Sequence, residues 1–276
     1  MPPAIKPESV WADAKGRQQQ LDEHIRTSKS AYFGFEQVDE DEKTARTSRH
    51  FDQVAQRYDL MNTLLSFGIH YSWKRLAVRM LDLKPGDRVV DVCGGTGDLA
   101  IIAARRVGPG GSVTIFDINR TMMEAGRPKV IRERFENRIS FVQGNAEYIS
   151  FPDNHFDAAM VGFGIRNVTH METGFREMHR VLKPGGKLMC LEFSKPTFLP
   201  FRWMYDLYSF HFMPLLGQLI ARNRAGYLLL TESIRLFPMP DELAARLEHI
   251  GFSGVCYRPL TNGIAVIHTG IKEPGP

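Results

Sequence analysis

Hydrophobic and polar positions change their period several times along this chain. Phe51, Val54, Ala55 and Tyr58 fall at i, i+3, i+4 and i+7, which predicts a helix over His50 to Tyr58. His70 to Leu81 has the same helical spacing. Beyond it, short apolar runs alternate with helical stretches. The runs Arg88 to Cys93, Ser112 to Asp117, Ile139 to Gln143, Phe156 to Gly162 and Lys187 to Phe193 predict buried strands. Helices are expected between them: Asp98 to Val107, closed by Gly108-Pro109-Gly110-Gly111; Thr121 to Glu133, interrupted near Pro128; and Met171 to Leu182, stopped by Lys183-Pro184-Gly185-Gly186. Strands alternating with helices imply a parallel sheet covered on both faces. The end departs from that alternation. A helix over Asp241 to Ile250 precedes strands at Gly254 to Pro259 and Ile264 to Thr269. The turn between them holds Asn262-Gly263, the strongest short-range hairpin signal. The sheet is therefore expected to finish antiparallel.

The flanks read differently. Residues 1–45 are polar and poor in aliphatics, with helical spacing over Ser9 to Thr27 and an acidic run, Gln37 to Lys43, that reads as solvated. The expected organisation is a partly disordered extension over 1–45 and one domain over 46–272. Within that domain, 46–82 form a helical cap and 195–237 an apolar helical insertion. The insertion contains Phe198 to Ile220, dense in aromatic and aliphatic side chains but too interrupted to span a bilayer. It reads as a greasy lid that touches a membrane, or equally as a buried cover or homodimer surface.

Composition narrows the class only a little. Among 276 residues, 43% are apolar, enough for a real core. The net charge of +4 comes from scattered Lys and Arg, so nucleic acid is not expected, while an anionic membrane surface would suit it. The cysteines, Cys93, Cys190 and Cys256, are far apart and make neither a disulfide framework nor a metal-ligand spacing. With no apolar leader at the start, a reducing cytoplasm is the expected location, with peripheral contact at the inner face of the cell membrane.

Chemistry concentrates in Asp91-x-x-Gly94-Gly95-Thr96-Gly97, between a predicted strand and a predicted helix. Glycines there let the backbone approach a ligand and adopt positive φ, and the helix start offers free N–H groups. Asp117 stands twenty residues after Gly97 at a strand end, with Ile118 beside it, where a carboxylate accepts ribose hydroxyls. Asn145, with Ala146, follows the third strand and suits an adenine edge. Spacing alone leaves two classes open. Gly95-x-Gly97-x-x-Ala100 also satisfies a relaxed dinucleotide fingerprint, which would make the chain a nicotinamide or flavin oxidoreductase. Against that stand the position of Asp91 before the glycines, where it suits an amine or sulfonium better than a pyrophosphate, the helical segment ahead of the loop, and the C-terminal hairpin.

Two segments carry a resemblance. Tyr58-Asp59-Leu60-Met61-Asn62-x-x-Leu65-Ser66-x-Gly68-x-His70-x-x-Trp73 and Arg180-Val181-Leu182-Lys183-Pro184-Gly185-Gly186-Lys187-Leu188-x-x-Leu191-Glu192-x-Ser194 resemble signatures of the ubiquinone/menaquinone biosynthesis C-methyltransferases. Gly94-Gly95-Thr96-Gly97-Asp98 and Phe163-Gly164-Ile165-Arg166-Asn167-Val168 also resemble that family's motifs. The resemblance implies a class I S-adenosylmethionine-dependent methyltransferase fold, Rossmann-like, with a mostly parallel seven-stranded sheet. It implies methyl transfer from S-adenosylmethionine to a ring carbon of a polyprenylated quinol, with demethylmenaquinol favoured over a methoxy-polyprenylbenzoquinol. A non-catalytic subunit of a quinone-synthesis complex is the remaining alternative. By position, Thr96, Asp117, Asn145 and Ala146 would contact the cofactor. Gly162 stands where the family often has serine, so that contact is expected from backbone or water. For proton removal the order of candidates is Arg166, then Tyr58 and His70, with Asp59 and Asn167 beside them. An arginine stays protonated and can only stabilise a phenolate or orient a water. Histidine, with an unperturbed pKa of about 6.5, is the easiest base near neutral pH.

Overall fold

A computed structural model describes residues 11–221 and 223–273. The chain opens with α1 (Ala14–Gln18), α2 (Asp22–Ser28) and a hairpin of β1 (Ser30–Phe33) and β2 (Glu36–Asp39). Here the structure departs from the expected solvated arm. Polar contacts tie the segment down, together with the few apolar side chains it buries, Ile25, Ala31 and Val38. The buried Asp22 carboxylate accepts the N–H groups of Glu172 and Thr173 at 3.0 and 2.7 Å. Arg17 grips both carboxylate oxygens of Glu242 at 2.7 Å. The acidic run has a structural use: Asp39 caps α3 (Glu40–Val54), and Glu40, Asp41 and Glu42 fill its first turn, where the helix dipole favours negative charge. The part of the arm before Trp11 lies outside the described residues.

Helix α3 therefore starts well before His50 and stops at Val54. A 3-10 turn, Ala55–Arg57, separates it from α4 (Tyr58–Leu65). Positive φ at Phe67 and Gly68, 49° and 75°, then breaks the chain before α5 (Ile69–Met80). The alternating region follows in the expected order: β3 (Arg88–Val92), α6 (Asp98–Val107), β4 (Ser112–Asp117), α7 (Arg120–Arg132), β5 (Ile139–Gln143), β6 (Phe156–Gly162), α8 (Met171–Val181) and β7 (Leu182–Phe193). Helix α7 runs through Pro128 without the expected interruption. Proline tolerates helical φ and forfeits one backbone bond, and the buried Met123, Gly126 and Val130 hold the rest of α7 against the sheet. The apolar insertion folds as α9 (Leu199–Leu207), α10 (Met213–Leu216) and α11 (Arg224–Leu236), with π-helical turns at Tyr208–Phe212 and Gly217–Ala221. Then come α12 (Pro240–Ile250), β8 (Phe252–Leu260) and β9 (Ala265–Lys272).

The seven-stranded sheet has the order β5-β4-β3-β6-β7-β9-β8. Strands β3 to β7 pair in parallel, while β9 runs antiparallel to both β7 and β8. One face packs Trp73, Ala77 and Val78 of α5, and Leu81 just after it, with α6; the other packs Phe175, Met178 and Val181 of α8 with Leu243 and Leu247 of α12. The order in which strands are added reverses between β3 and β6, which themselves pair in parallel. Ligands of open α/β sheets sit at that switch point, beyond the carboxyl ends of the strands.

Candidate active site

From the end of β3 the backbone turns through Cys93, Gly94, Gly95, Thr96 and Gly97 into α6. Cys93, Gly95 and Gly97 have φ of 54°, 52° and 80°. A Cβ on Gly94 would lie 2.9 Å from the Asp91 carbonyl oxygen, so only glycine lets the loop fold back on its own strand. Asp91 is fully buried. Its Oδ2 accepts the Ala100 N–H at 3.1 Å, and Oδ1 has no partner. Burial pushes this carboxyl up to about 8, against the smaller opposing pull of that N–H. A buried acceptor left unmatched on the cleft wall fits a cationic ligand group.

Asp117 ends β4. Its Oδ2 accepts the Gly95 N–H at 2.8 Å and its Oδ1 the Asn119 N–H at 2.7 Å. The side chain thus pins the glycine loop while facing the cleft, and it keeps lone pairs for ribose hydroxyls. Burial raises its carboxyl to about 6. Ile118, Asn145 and Ala146 line the same cleft. Asn145 spends its carbonyl oxygen on the Glu147 N–H at 2.9 Å, which leaves its amide donor for a ligand. Gly162 also lines the cleft, and a Cβ there would lie 2.5 Å from Leu99 Cδ1. Leu99 fills the space that a longer side chain would need. Gly97 is a correction: it does not face the cleft. Its positive φ starts α6, and a Cβ would lie 2.7 Å from Ile115 Cδ1.

A second, mostly apolar cavity of about 570 Å³ adjoins this cleft. Its walls come from α4 and α5 (Asn62, Leu65, Trp73), from Phe193 at the end of β7, and from the lid (Met204, Tyr208, Tyr227, Leu230). Phe51, Tyr58, Lys74, Phe163 and Asn167 line both spaces. Asn167 has a buried amide nitrogen without a partner. Arg166 stands in the cavity wall, its Nη1 bound to both Glu192 oxygens at 3.1 and 2.9 Å and to the Phe163 carbonyl at 2.5 Å. Burial raises the Glu192 carboxyl, and the Arg166 charge opposes that rise.

Two candidates for proton removal are displaced. His70 lines the cavity, but its Nδ1 is 2.6 Å from Ser66 Oγ and its Nε2 is buried without a partner. Burial, then the Lys74 charge, depress it to about 4, so it is neutral and weakly basic at neutral pH. Asp59 lines neither space; it receives the Thr96 hydroxyl at 2.7 Å and the Lys129 ammonium at 2.7 Å. Glu192, Lys74, Asp98 and Lys129 were not among the predicted site residues. Glu192 had a usable signal, since an acid inside an apolar strand requires a buried cation.

A glycine loop over β3, an acidic residue ending β4 and an antiparallel β9 inserted between β7 and β8 define a class I S-adenosylmethionine-dependent methyltransferase. The comparisons agree. The profile of the ubiE/COQ5 methyltransferase family matches residues 38–272, and the chain belongs to that family. It is 46% identical over 243 residues to the ubiquinone/menaquinone biosynthesis C-methyltransferase UbiE of Pseudomonas fluorescens (strain SBW25), covering 88% of this chain and 95% of that one. To the protein of the same name from Photorhabdus laumondii it is 45% identical over 247 residues, covering 90% and 98%. Among solved structures, the [4+2]-cyclase SpnF superposes with a TM-score of 0.61 at 17% identity, over 83% of this chain and 95% of that one. A SAM-dependent methyltransferase from Thermotoga maritima gives 0.60 at 19%, over 82% and 100%. These two show the fold alone, and a cyclase among them shows that the fold does not decide the reaction. Family membership removes the oxidoreductase alternative.

Proposed function

We propose that this protein methylates a ring carbon of a polyprenylated quinol, with S-adenosylmethionine as donor, in menaquinone or ubiquinone biosynthesis. One observation carries the reading: the glycine-loop cleft and the apolar cavity meet along Phe51, Tyr58, Lys74, Phe163 and Asn167. A donor held in one lies against an aromatic ring held in the other. The names of the similar proteins support the same substrate class.

When bound, S-adenosylmethionine supplies an electrophilic methyl group on a sulfonium. Asp117 would hold its ribose, Asp91 its amino end, and Asn145 with Ala146 its adenine. The chain's own residues then serve three needs. Trp73, Phe163 and Phe193 wall the cavity with rings and keep water from the quinol. Tyr58 and Asn167 stand where ring and methyl meet, and their alignment replaces an encounter that costs about 7–11 kcal/mol in solution. Arg166, fixed by Glu192, offers positive charge to a quinol hydroxyl as its proton passes to a water that Arg166 orients; the phenolate makes the neighbouring carbon nucleophilic, and that carbon's own proton leaves to water once the methyl is in place. The test uses deuterated-methyl S-adenosylmethionine, a short-tailed demethylmenaquinol and purified protein. Carbon NMR of the product should place the label on the ring carbon; label on oxygen would overturn the reading.

The same reading extends to a membrane. No helix among the described residues is long and apolar enough to cross a bilayer. Yet Phe67 and Trp203 are 88% and 74% exposed, with Leu60, Leu64, Leu207 and Leu219 exposed beside them on the cap and lid. Phe67, Ile69 and Met204 also line the cavity, so apolar surface surrounds its mouth. A quinol with its tail in lipid could enter there without crossing water. The double variant Trp203→Asp, Leu219→Asp, at two exposed positions outside the cavity lining, is expected to float less with anionic phospholipid vesicles. Its KM should rise for a long-tailed quinol and stay unchanged for a short-tailed one.

A further inference from the structure

We propose that Lys129 is a positioning residue that latches cap helix α4 to the cofactor loop, so that filling the cleft also closes the quinol cavity. The inference rests on reading the glycine loop as the cofactor loop. An ammonium has three N–H donors, and those of Lys129 have three acceptors. These are Asp59 Oδ2 at 2.7 Å on α4, Thr96 Oγ1 at 3.3 Å in the glycine loop, and Asp98 Oδ1 at the start of α6. Asp98 Oδ2 in turn accepts from Lys74 on α5 at 2.7 Å. Four elements, α4, α5, α6 and α7, are thereby joined around the loop through two acids and two bases.

The network also orients Thr96. Its hydroxyl gives its one proton to Asp59 Oδ1 at 2.7 Å while receiving from Lys129, so toward the cleft it has only a lone pair and its methyl. Burial alone would lower the Lys129 ammonium, but Asp98 and Asp59 more than offset that and raise it. The same two lysines hold the Asp98 carboxyl well below its ordinary value, although burial opposes them. The Lys129 and Asp98 charges therefore persist through the neutral range.

The mechanical consequence follows from what α4 bears. Tyr58 lines both spaces, and Asn62 and Leu65 line the cavity alone. A ligand that orders Thr96 must order Asp59, and with it the helix that carries these three side chains. Without Lys129, Asp59 and Asp98 lose their shared cation, and among the described residues the Thr96 hydroxyl is the side-chain hydrogen bond left between α4 and the loop.

Hydrogen exchange at the amides of residues 58–65 tests this without quinol or turnover. In the unmodified protein, S-adenosylhomocysteine should slow exchange across α4. In Lys129→Met that slowing should disappear, and the Kd for S-adenosylhomocysteine should rise roughly ten-fold, the usual size of coupling between two sites. Lys129→Arg should restore both. If Lys129→Met does not fold, Asp59→Asn, on a half-exposed side chain, replaces it with the same expectations. A Lys129→Met protein that is less stable yet keeps full ligand-induced protection of α4 would overturn the latch. Failure of the unmodified protein to bind S-adenosylhomocysteine would instead overturn the cofactor assignment.

Discussion

Replacing Asp117 by alanine should weaken S-adenosylhomocysteine binding by roughly 10²-fold or more. Two losses add. A carboxylate accepting ribose hydroxyls contributes about 1.5–3 kcal/mol per bond, and 1.4 kcal/mol is a factor of ten. The loop is released as well, because Asp117 is the acceptor for the N–H groups of Gly95 and Asn119. The pH dependence has a definite sign. Only ionised Asp117 can accept both hydroxyls. Burial raises its folded pKa to about 6 from 3.8. For the empty protein this means stability that is fully present below 3.8 and lost as pH rises through 6. Ligand binding runs the other way, since it favours the ionised form, so affinity should fall as pH drops through about 6. Asp91, raised to about 8, adds in the same direction: a cationic ligand group ionises it, and binding at neutral pH releases protons. Titration calorimetry between pH 5 and 8, in buffers of different ionisation heat, measures both effects. Affinity independent of pH with no proton release would contradict the assignment of both carboxylates.

Replacing Arg166 by methionine should reduce methyl transfer by roughly 10²- to 10³-fold, the loss expected when an electrostatic partner of a developing oxyanion is removed. It should also destabilise the fold. The Arg166 and Glu192 side chains are 7% and 2% exposed, so the variant leaves a carboxylate buried and uncompensated. Breaking such a pair costs about 3–5 kcal/mol, a drop in Tm of roughly 10 °C for a domain this large. The two effects separate in a second variant. Arg166→Met combined with Glu192→Leu removes the stranded charge and should recover most of the Tm, since buried pairs are often replaceable by apolar groups. It should not recover methyl transfer. If activity returns with stability, Arg166 serves the fold alone. Calorimetric scans and single-turnover methyl transfer provide the two readouts.

The sequence and the structure agree where the signal is local. Each strand from β3 to β6 is a short apolar run bounded by turn residues, and each lies within a residue of its expected limits. The Thr261-Asn262-Gly263 turn joins antiparallel strands as its composition predicts, with Asn262 at φ 56°. The glycine loop and Asp91 also fall together, because a strand, a tight turn and a helix start leave little freedom over so short a span; Asp117 joins them because β4 pairs in parallel beside β3.

Agreement fails where partners are far apart in the chain. The amino-terminal arm has too few aliphatics to predict a packed segment. It is held by Asp22 against the start of α8 and by Trp11, whose ring lies 4.7 Å from the Arg235 guanidinium. Asp59 and His70 look catalytic in sequence, being polar residues in an aromatic segment. The turn at Gly68 sets the relation between α4 and α5 and decides otherwise: Asp59 faces Lys129, and His70 is closed in against Ser66.

Two motif segments supplied the methyltransferase class, while periodicity and turn chemistry were enough to predict a parallel sheet with an antiparallel end and a glycine-rich ligand loop after β3. Those features depend on neighbours within about ten residues, and backbone sterics and amphipathic spacing act over that range. Only tertiary structure decided which charged side chains face a ligand and which face each other. Ion pairs such as Arg166 with Glu192, or Lys129 with Asp59 and Asp98, are selected by the cost of leaving a buried charge unmatched, and the matching partner can stand anywhere in the chain.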